Sequence, residues 1–186
     1  TLSVTLNGYT FTTVAVTGGA WSLNTATATP GSGTFANLAD GTYSVSATVT
    51  DAAGNTTSDT TSNELKIDTV APTVINVTSS TIDGAYKAGS TIAIQVQLSE
   101  SVTVTGGSPT LALNVSRNAT FVNVTGGNVL NFTYTVQPGD NTTDLDYTST
   151  TALALNGATI RDAAGNNATL TLAAPGAADS LGANKA

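Results

Sequence analysis

The chain contains no cysteine, methionine or histidine among its 186 residues. Without cysteine it has no disulfide framework, no thiolate nucleophile and no thiolate metal site. Without histidine it has no Ser-His-Asp triad, no imidazole base and no histidine-ligated zinc. These absences exclude the commonest hydrolytic active sites and most zinc sites.

Charged residues are also scarce, at 9% of the chain against roughly 25% in typical globular proteins. The 12 acidic residues outnumber the 5 basic ones, which gives a net charge of −7. Phosphate binding needs clustered Lys and Arg, so the composition predicts no nucleic-acid partner. The acidic excess suits hard cations such as Ca²⁺, which prefer carboxylate and carbonyl oxygens, and it equally suits a surface that acidity keeps soluble.

Long hydrophobic runs are missing as well. No apolar stretch is long enough to span a membrane, and no signal peptide is evident. Because position 1 is not methionine, we expect a fragment of a longer protein. Its first module would lack an opening strand, and its second module would lack a closing strand.

What the chain does contain is a set of strand patterns. "TIAIQVQLS" at residues 91–99 and "NVLNFTYTV" at residues 128–136 alternate apolar and polar side chains, as half-buried strands do. Asn7-Gly8 accepts the positive φ angles of a tight hairpin. Thr, Val and turn residues dominate over helix formers, so the sequence predicts an all-β fold.

The pentapeptide "DAAGN" occurs twice, at residues 51–55 and 162–166. One copy per module predicts two tandem antiparallel β-sandwiches. "TVAPT" at residues 69–73 marks the seam between them, because Pro72 cannot donate to a sheet ladder. We therefore predict one module at residues 1–69 and a second at residues 70–186.

Two aromatic residues of the first module have predicted roles. "LADGTY" at residues 38–43 has the form of an immunoglobulin tyrosine corner, in which Tyr43 bonds back to the preceding loop. Trp21, the only tryptophan, is predicted to anchor the core. In the second module, "DGAYKAGS" at residues 83–90 is predicted to be a polar loop.

Several segments in order resemble the tandem Ig-like repeats of very large biofilm-associated and type-I-secreted bacterial surface adhesins. These segments are "LADGTYSVSATVTDAAGN", "IDTVAPTV", "DLDYTST" and "GATIRDAAGN". The resemblance implies Ig-like sandwiches in an elongated arrangement, acting outside the cell or on its surface as calcium-stiffened extenders. It also implies that the partners are neighbouring modules of the same chain. Any surface glycan, host or matrix component would be bound through other regions.

Ig topology sorts the acidic residues between the two ends of each module. The turn before the last strand lies at the N-terminal pole, and the loop before the penultimate strand lies at the C-terminal pole. This places Asp162 at the N-terminal pole of the second module, with Asp40 and Asp68 at the C-terminal pole of the first. We predict a junction Ca²⁺ site formed by Asp68 and Asp162, which Asp40 or Glu100 completes.

The same topology predicts a second acidic group at the C-terminal pole of the second module. It comprises Asp83, Asp140, Asp144 and Asp146. The Asp-x-Asp spacing of Asp144 and Asp146 puts both side chains on one face of an extended segment. That placement suits shared metal ligation, and it also suits a solvated strand edge.

A plainer interpretation exists for the turn carboxylates. Asp in "DG" and "DAAG" often only accepts N–H bonds within its own turn. For Asp40 this interpretation and a metal role both stay open, whereas for Asp51 the turn-internal role is favoured.

The sequence predicts no enzyme. Asp144 and Asp146 could reach the carboxylate separation of a glycosidase, but aromatic residues are only 5% of the chain and form no sugar-binding groove. The leading hypothesis is a non-catalytic extender that contributes to adhesion or biofilm formation. The alternatives are a glycan- or protein-binding module and an accessory domain of a secreted hydrolase.

Overall fold

The computed structural model describes residues 1–12, 14–59 and 61–185. The chain divides into two compact units, Thr1–Thr69 (unit 1) and Val70–Ala186 (unit 2). The described regular structure is almost entirely antiparallel strand, with one four-residue helix. The fold class is therefore all-β, as the composition predicted, and the antiparallel sheets are those of an Ig-like β-sandwich.

Unit 1 is built from short strands. Those described are β1 (Leu2–Leu6), β2 (Tyr9–Phe11), β3 (Val16–Thr17), β4 (Ala20–Trp21), β5 (Gly41–Tyr43), β6 (Val45–Thr50), β7 (Thr56–Ser58) and β8 (Leu65–Ile67). The main sheet has the order β2-β1-β6-β7, and β3-β4 and β5-β8 form two separate ladders. Asn7 and Gly8 turn the β1-β2 hairpin with φ angles of 48° and 80°, which confirms the predicted turn.

The core of unit 1 is small. Among its described residues, the buried hydrophobic side chains are Leu2, Val4 and Leu6 of β1 and Phe11 of β2. The prediction that Trp21 anchors this core is wrong, because its side chain is 42% exposed. Trp21 lies on the two-residue strand β4, whose ladder partner is β3, and it faces an open groove.

Unit 2 has longer strands and one helix. Its described elements are β9 (Val74–Ser79), β10 (Thr91–Leu98), β11 (Thr103–Gly106), β12 (Thr110–Leu113), β13 (Arg117–Thr125), β14 (Val129–Thr135), β15 (Leu153–Ala154), β16 (Ala158–Arg161) and α1 (Leu181–Asn184). The larger sheet has the order β15-β12-β13-β14-β10-β9, and β11 pairs with β16 in the second sheet.

The core of unit 2 follows the alternation read from the sequence. Every second residue of β10 is buried, and in the ladder Ile94 lies opposite Phe132 while Val96 lies opposite Leu130. These side chains form one cluster with Ile160 of the β11-β16 sheet, so two sheets enclose one core. Full burial of each such side chain stabilises the fold by about 1.5–3 kcal/mol.

Tyrosine corners occur in both units. Tyr43 Oη donates to the carbonyl oxygen of Ala39 at 2.9 Å, which confirms the corner predicted from "LADGTY". Tyr86 Oη makes the same bond to the carbonyl oxygen of Ile82, four residues before it. The predicted polar loop at residues 83–90 is thus closed by a corner of its own. The shared "DG-x-Y" pattern was the sequence signal for it.

The C-terminal segment packs back onto unit 2. Ser180 caps α1 by accepting a bond from the backbone N of Ala183 at 3.2 Å. Leu181 is fully buried, and Asn184 Nδ2 donates to the carbonyl oxygen of Val77 in β9 at 2.8 Å. A single helical turn has no periodicity to detect, and its stability comes from tertiary packing.

Candidate cation sites

The two DAAGN turns have matching hydrogen bonds. In unit 1, Asp51 Oδ1 accepts from the backbone N of Ala53 and Asn55, and Asp51 Oδ2 accepts from Asn55 Nδ2 at 2.8 Å. In unit 2, Asp162 Oδ1 accepts from the backbone N of Gly165 and Asn166, and Asp162 Oδ2 accepts from Asn166 Nδ2 at 2.8 Å. The turn-internal role favoured for Asp51 is confirmed, and Asp162 has the same one.

The surroundings of the two aspartates differ. Asp51 is exposed, whereas Asp162 is only 8% exposed. Asp162 also has an acidic neighbour within unit 2, because its carboxylate oxygens and those of Glu100 approach to within 4.8 Å. Glu100 follows β10 and Asp162 follows β16, so the two sheets of the sandwich bring these side chains together.

The pKa of each turn aspartate lies below its ordinary value. For Asp51 the main cause is the hydrogen bond from the Asn55 side chain. For Asp162 the largest single effect is burial, which raises the pKa, but the bonds from Asn166, Gly165 and Ala164 together outweigh it. Both groups are therefore anionic near neutral pH, as a metal ligand must be.

The donor set of Glu100 and Asp162 fits a calcium ion. Besides accepting hydrogen bonds within its own turn, the Asp162 carboxylate can offer an oxygen atom to a cation. The Glu100 carboxylate would supply oxygen ligands at an adjacent position. Two carboxylates this close repel each other, and Ca²⁺ removes that repulsion while accepting further carbonyl or water oxygens.

Asp40 and Asp68 lie at the end of unit 1. The β5-β8 ladder pairs Gly41 with Ile67, which sets Asp40 beside the last residues of the unit. Asp40 Oδ1 accepts from Thr69 at both the backbone N, at 3.1 Å, and Oγ1, at 2.9 Å. Asp68 is paired with Lys66 Nζ at 2.8 Å. The donors to Asp40 thus come from Thr69 and not from its own turn.

A second pair of carboxylates converges at the C-terminal end of unit 2. The Oδ2 atoms of Asp144 and Asp146 lie 2.7 and 2.9 Å from the point where a Cβ on Gly182 would be. Asp146 is 6% exposed and accepts from the backbone N of Tyr147 and Gly176. Asp144 Oδ1 is buried without a hydrogen-bond partner among the described residues. An orphaned carboxylate oxygen beside a second carboxylate is a donor set that a hard cation would satisfy.

Asp83 and Asp140 have other partners. Asp83 is 57% exposed at its side chain and lies 3.3 Å from Lys185 Nζ. Asp140 accepts from Tyr134 Oη, the backbone N of Gln137 and Arg117 Nε. Within the described part of the chain, neither makes a three-carboxylate cluster with Asp144 and Asp146. Asp83, Asp140 and Asp144 do line one cavity of about 340 Å³.

Two tyrosines near these carboxylates were missed by sequence reasoning. Burial, with the Asp140 hydrogen bond and charge, raises the pKa of Tyr134 to about 12. Burial and the negative charge of Asp146 raise the pKa of Tyr147 to about 12. Tyr147 Oη donates to the carbonyl oxygen of Ala173 at 2.8 Å. Both hydroxyls act as hydrogen-bond donors. Their positions on an alternating strand and beside Asp146 were the available signals.

Comparison with known protein families gives a match for part of the chain. Residues 1–69 match the family model of the bacterial Ig-like domain. Such domains are typically extracellular or surface-associated, generally non-catalytic, and serve as surface or extender modules. No curated protein and no solved structure gave a significant match. In the described residues, no helix has the length and hydropathy needed to cross a lipid bilayer.

Proposed function

We propose that this chain is a non-catalytic extender region of a large bacterial cell-surface adhesin, stiffened by Ca²⁺ where one Ig-like module meets the next. The extender would hold a binding region away from the cell and so contribute to adhesion or biofilm formation. The observation that carries the proposal is the approach of the Glu100 and Asp162 carboxylates at the turn that follows β16 in unit 2.

Covalent connection supports the inclusion of Asp68 in this site. Asp68 lies two residues before Val70, and two extended residues span about 7 Å. The carbonyl oxygen of Val70 accepts from Asn166 Nδ2 at 3.2 Å, and the same amide donates to Asp162. On this proposal, Asp68 would reach a cation bound by Glu100 and Asp162 through this short connection. Asp40 would act through Thr69, which it holds next to Asp68.

Such an ion would stiffen the chain by binding carboxylates of the linker and of unit 2 at the same time. A divalent cation shared by a linker residue and by unit 2 restricts the backbone angles of the linker. When the ion is removed, the carboxylates repel each other and the linker regains its freedom. The ordered linker would also be a poorer protease substrate.

The Asp144–Asp146 pair supports a second ion at the other end of unit 2. The buried, unpartnered Asp144 Oδ1 is the feature that favours a cation there. Asp83 and Asp144 line one cavity, and Asp83 would join the site once it is released from its ion pair with Lys185. In a longer repeat array, this end of the unit would meet the next module.

Calcium titration with matched variants tests the first site. We expect Ca²⁺ to raise the melting temperature of the intact chain relative to chelator. Asp162→Asn should weaken Ca²⁺ binding on the order of 10-fold or more. Asp51→Asn is the matched control, since it alters the same turn in unit 1, where Asp51 belongs to no three-carboxylate group among the described residues, and it should leave Ca²⁺ affinity unchanged. Identical melting with Ca²⁺ and with chelator would rule out the calcium role.

Small-angle scattering tests the stiffening itself. With Ca²⁺ the distribution of maximum dimensions should be narrow, and with chelator it should broaden. Asp68→Asn should broaden the distribution even with Ca²⁺ present. An extender also predicts that the isolated chain gives no signal on a glycan array. Specific glycan binding would instead favour a ligand-binding module.

A further inference from the structure

Residues 173–185 (the strap) pack across the rest of unit 2 (the body). At one end of the strap, Tyr147 Oη donates to the carbonyl oxygen of Ala173 at 2.8 Å. At the other end, Lys185 Nζ lies 3.3 Å from Asp83 Oδ1. Between these two points, Leu181 is fully buried and belongs to the hydrophobic core of the unit. The strap is therefore fixed to the body by polar contacts at both ends and by an apolar anchor between them.

The strap also covers one edge of the larger sheet. β9 is an edge strand of this sheet, and β10 is its neighbour on one side. On the other side, the backbone N of Val77 donates to the carbonyl oxygen of Asp179 at 2.9 Å. Asn184 Nδ2 donates to the carbonyl oxygen of Val77 at 2.8 Å. Because an uncovered edge strand offers such groups to strands of other chains, the strap protects β9 from unintended pairing.

The closed strap buries two carboxylates of the body. A Cβ on Gly182 would lie 2.7 Å from Asp144 Oδ2 and 2.9 Å from Asp146 Oδ2. The backbone N of Gly176 donates to Asp146 Oδ2 at 2.9 Å. Asp144 Oδ1 is buried and has no hydrogen-bond partner among the described residues. Burying a charge is unfavourable unless it is paired, so closure of the strap over these two anions has an electrostatic cost that a cation would remove.

A cavity of about 340 Å³ adjoins these carboxylates. Leu181 and Lys185 of the strap line it, and so do Asp83 and Asp144 of the body. Positive charge is already present in this lining, because Lys185 pairs with Asp83. A cation that enters the cavity beside Asp144 would therefore lie between the strap and the body.

We propose that the strap is a cation-dependent latch: a divalent cation bound by Asp144 and Asp146 holds it closed over β9, and loss of the cation loosens it. A ligand shifts a conformational equilibrium only by the difference between its affinities for the two states. Here the difference arises at Asp144 Oδ1, which water satisfies when the strap is open and which only the cation satisfies when it is closed. Because the latch rests on the second ion of the proposed function, ion binding and strap closure are measured separately.

Amide hydrogen exchange on the intact chain measures closure of the strap. The backbone N of Val77 and of Gly176 each donate to a group across the contact between strap and body, so local opening exposes both amides. We expect Ca²⁺ to slow their exchange by about 5- to 150-fold relative to chelator, the usual range of coupling between two equilibria. Leu181→Ala removes the apolar anchor and should speed both, which verifies that the readout follows strap opening.

Asp144→Asn separates the latch from other effects of Ca²⁺. The substitution removes one of the two buried charges, so the strap amides should exchange more slowly than in wild type when both are in chelator. Ca²⁺ should then slow them little further. Asp51→Asn is the matched control, since it neutralises an exposed carboxylate of unit 1 and should leave strap exchange at the wild-type rate.

Calorimetric titration of Asp162→Asn with Ca²⁺ reports binding at the second site, because this substitution weakens the first. Binding there without a change in strap exchange would overturn the latch and leave the proposed function standing. No binding there would overturn the latch together with the second ion, whereas the first site has its own test. Unchanged or faster exchange of Asp144→Asn in chelator would also overturn the latch. The comparison of wild type with and without Ca²⁺ stands even if a variant fails to fold.

Discussion

Asn166 donates two hydrogen bonds to the Asp162 carboxylate. Its backbone N donates to Oδ1 and its Nδ2 donates to Oδ2, each at 2.8 Å. Asn55 makes the same two contacts with Asp51 in the other unit. The last residue of the DAAGN turn thus holds the first residue in its anionic form. The turn is complete within five residues, which explains why it recurs unchanged in two units of different size.

Removing the asparagine amide should affect the two turns unequally. In Asn55→Ala, the pKa of Asp51 should rise toward its usual value of 3.8, because its main lowering contact is gone. In Asn166→Ala, the pKa of Asp162 should rise by more than that of Asp51 does in Asn55→Ala. Burial is the largest effect on Asp162, and fewer hydrogen bonds then counteract it. Carboxyl NMR titration in chelator would measure both. A smaller rise at Asp162 would contradict this account.

Acid stability should depend on Asp140. Its pKa is lowered by the Tyr134 hydroxyl first, then by the Gln137 backbone and Arg117. A carboxylate with a lowered folded-state pKa stabilises the fold fully above its unfolded pKa of about 3.8. This stabilisation is lost as the pH falls through the pKa that Asp140 has in the folded state. The melting temperature of wild type should therefore decline more steeply than that of Asp140→Asn below about pH 4.

The tyrosine corner of unit 1 should contribute measurably to stability. Tyr43→Phe removes the bond to the Ala39 carbonyl and should cost about 1 kcal/mol. Urea unfolding followed by Trp21 emission reports this unit. Tyr86→Phe should leave the Trp21 transition unchanged, because Tyr86 belongs to unit 2. A shift of that transition by Tyr86→Phe would show that the two units do not unfold independently.

A side chain at position 182 should destabilise the fold. Replacing glycine by alanine inside a helix ordinarily stabilises it by about 1 kcal/mol. Here the new Cβ would meet Asp144 Oδ2 at 2.7 Å and Asp146 Oδ2 at 2.9 Å, so Gly182→Ala should lower the melting temperature. Gly31→Ala is the control, since its Cβ would lie 3.6 Å from the nearest atom. Equal stability of Gly182→Ala and wild type would refute the close approach.

Truncating a buried side chain of unit 2 should destabilise the fold far more than truncating an exposed one. Leu130 is fully buried, so Leu130→Ala should lower the free energy of unfolding by about 2–5 kcal/mol. Val122 is 58% exposed, and Val122→Ala should change the free energy of unfolding by less than about 0.5 kcal/mol. Circular dichroism during urea unfolding would compare the two. A similar loss in both would mean that β14 does not face a packed core.

Features with short-range causes were predictable from the sequence. The alternation of β10, the Asn7-Gly8 hairpin, the DAAGN turns and the Tyr43 corner each depend on residues within a few positions of one another. The prediction for Trp21 was wrong because burial requires an opposing layer, and the residues around Trp21 cannot reveal whether such a layer is present. Gly182 was missed because the carboxylates it contacts lie far away in the chain.

The sequence by itself determined that the protein is all-β, where its main strands run and how its turns close, because backbone preference and side-chain alternation act between near neighbours. Ig topology also grouped Glu100 with Asp162, and Asp144 with Asp146. Only the tertiary structure decided how closely these carboxylates approach, packed Gly182 against Asp144 and Asp146, and left Trp21 beside an open groove. Such contacts depend on how separate sheets and loops pack, and no local pattern records the distance between groups that only the folded chain brings together.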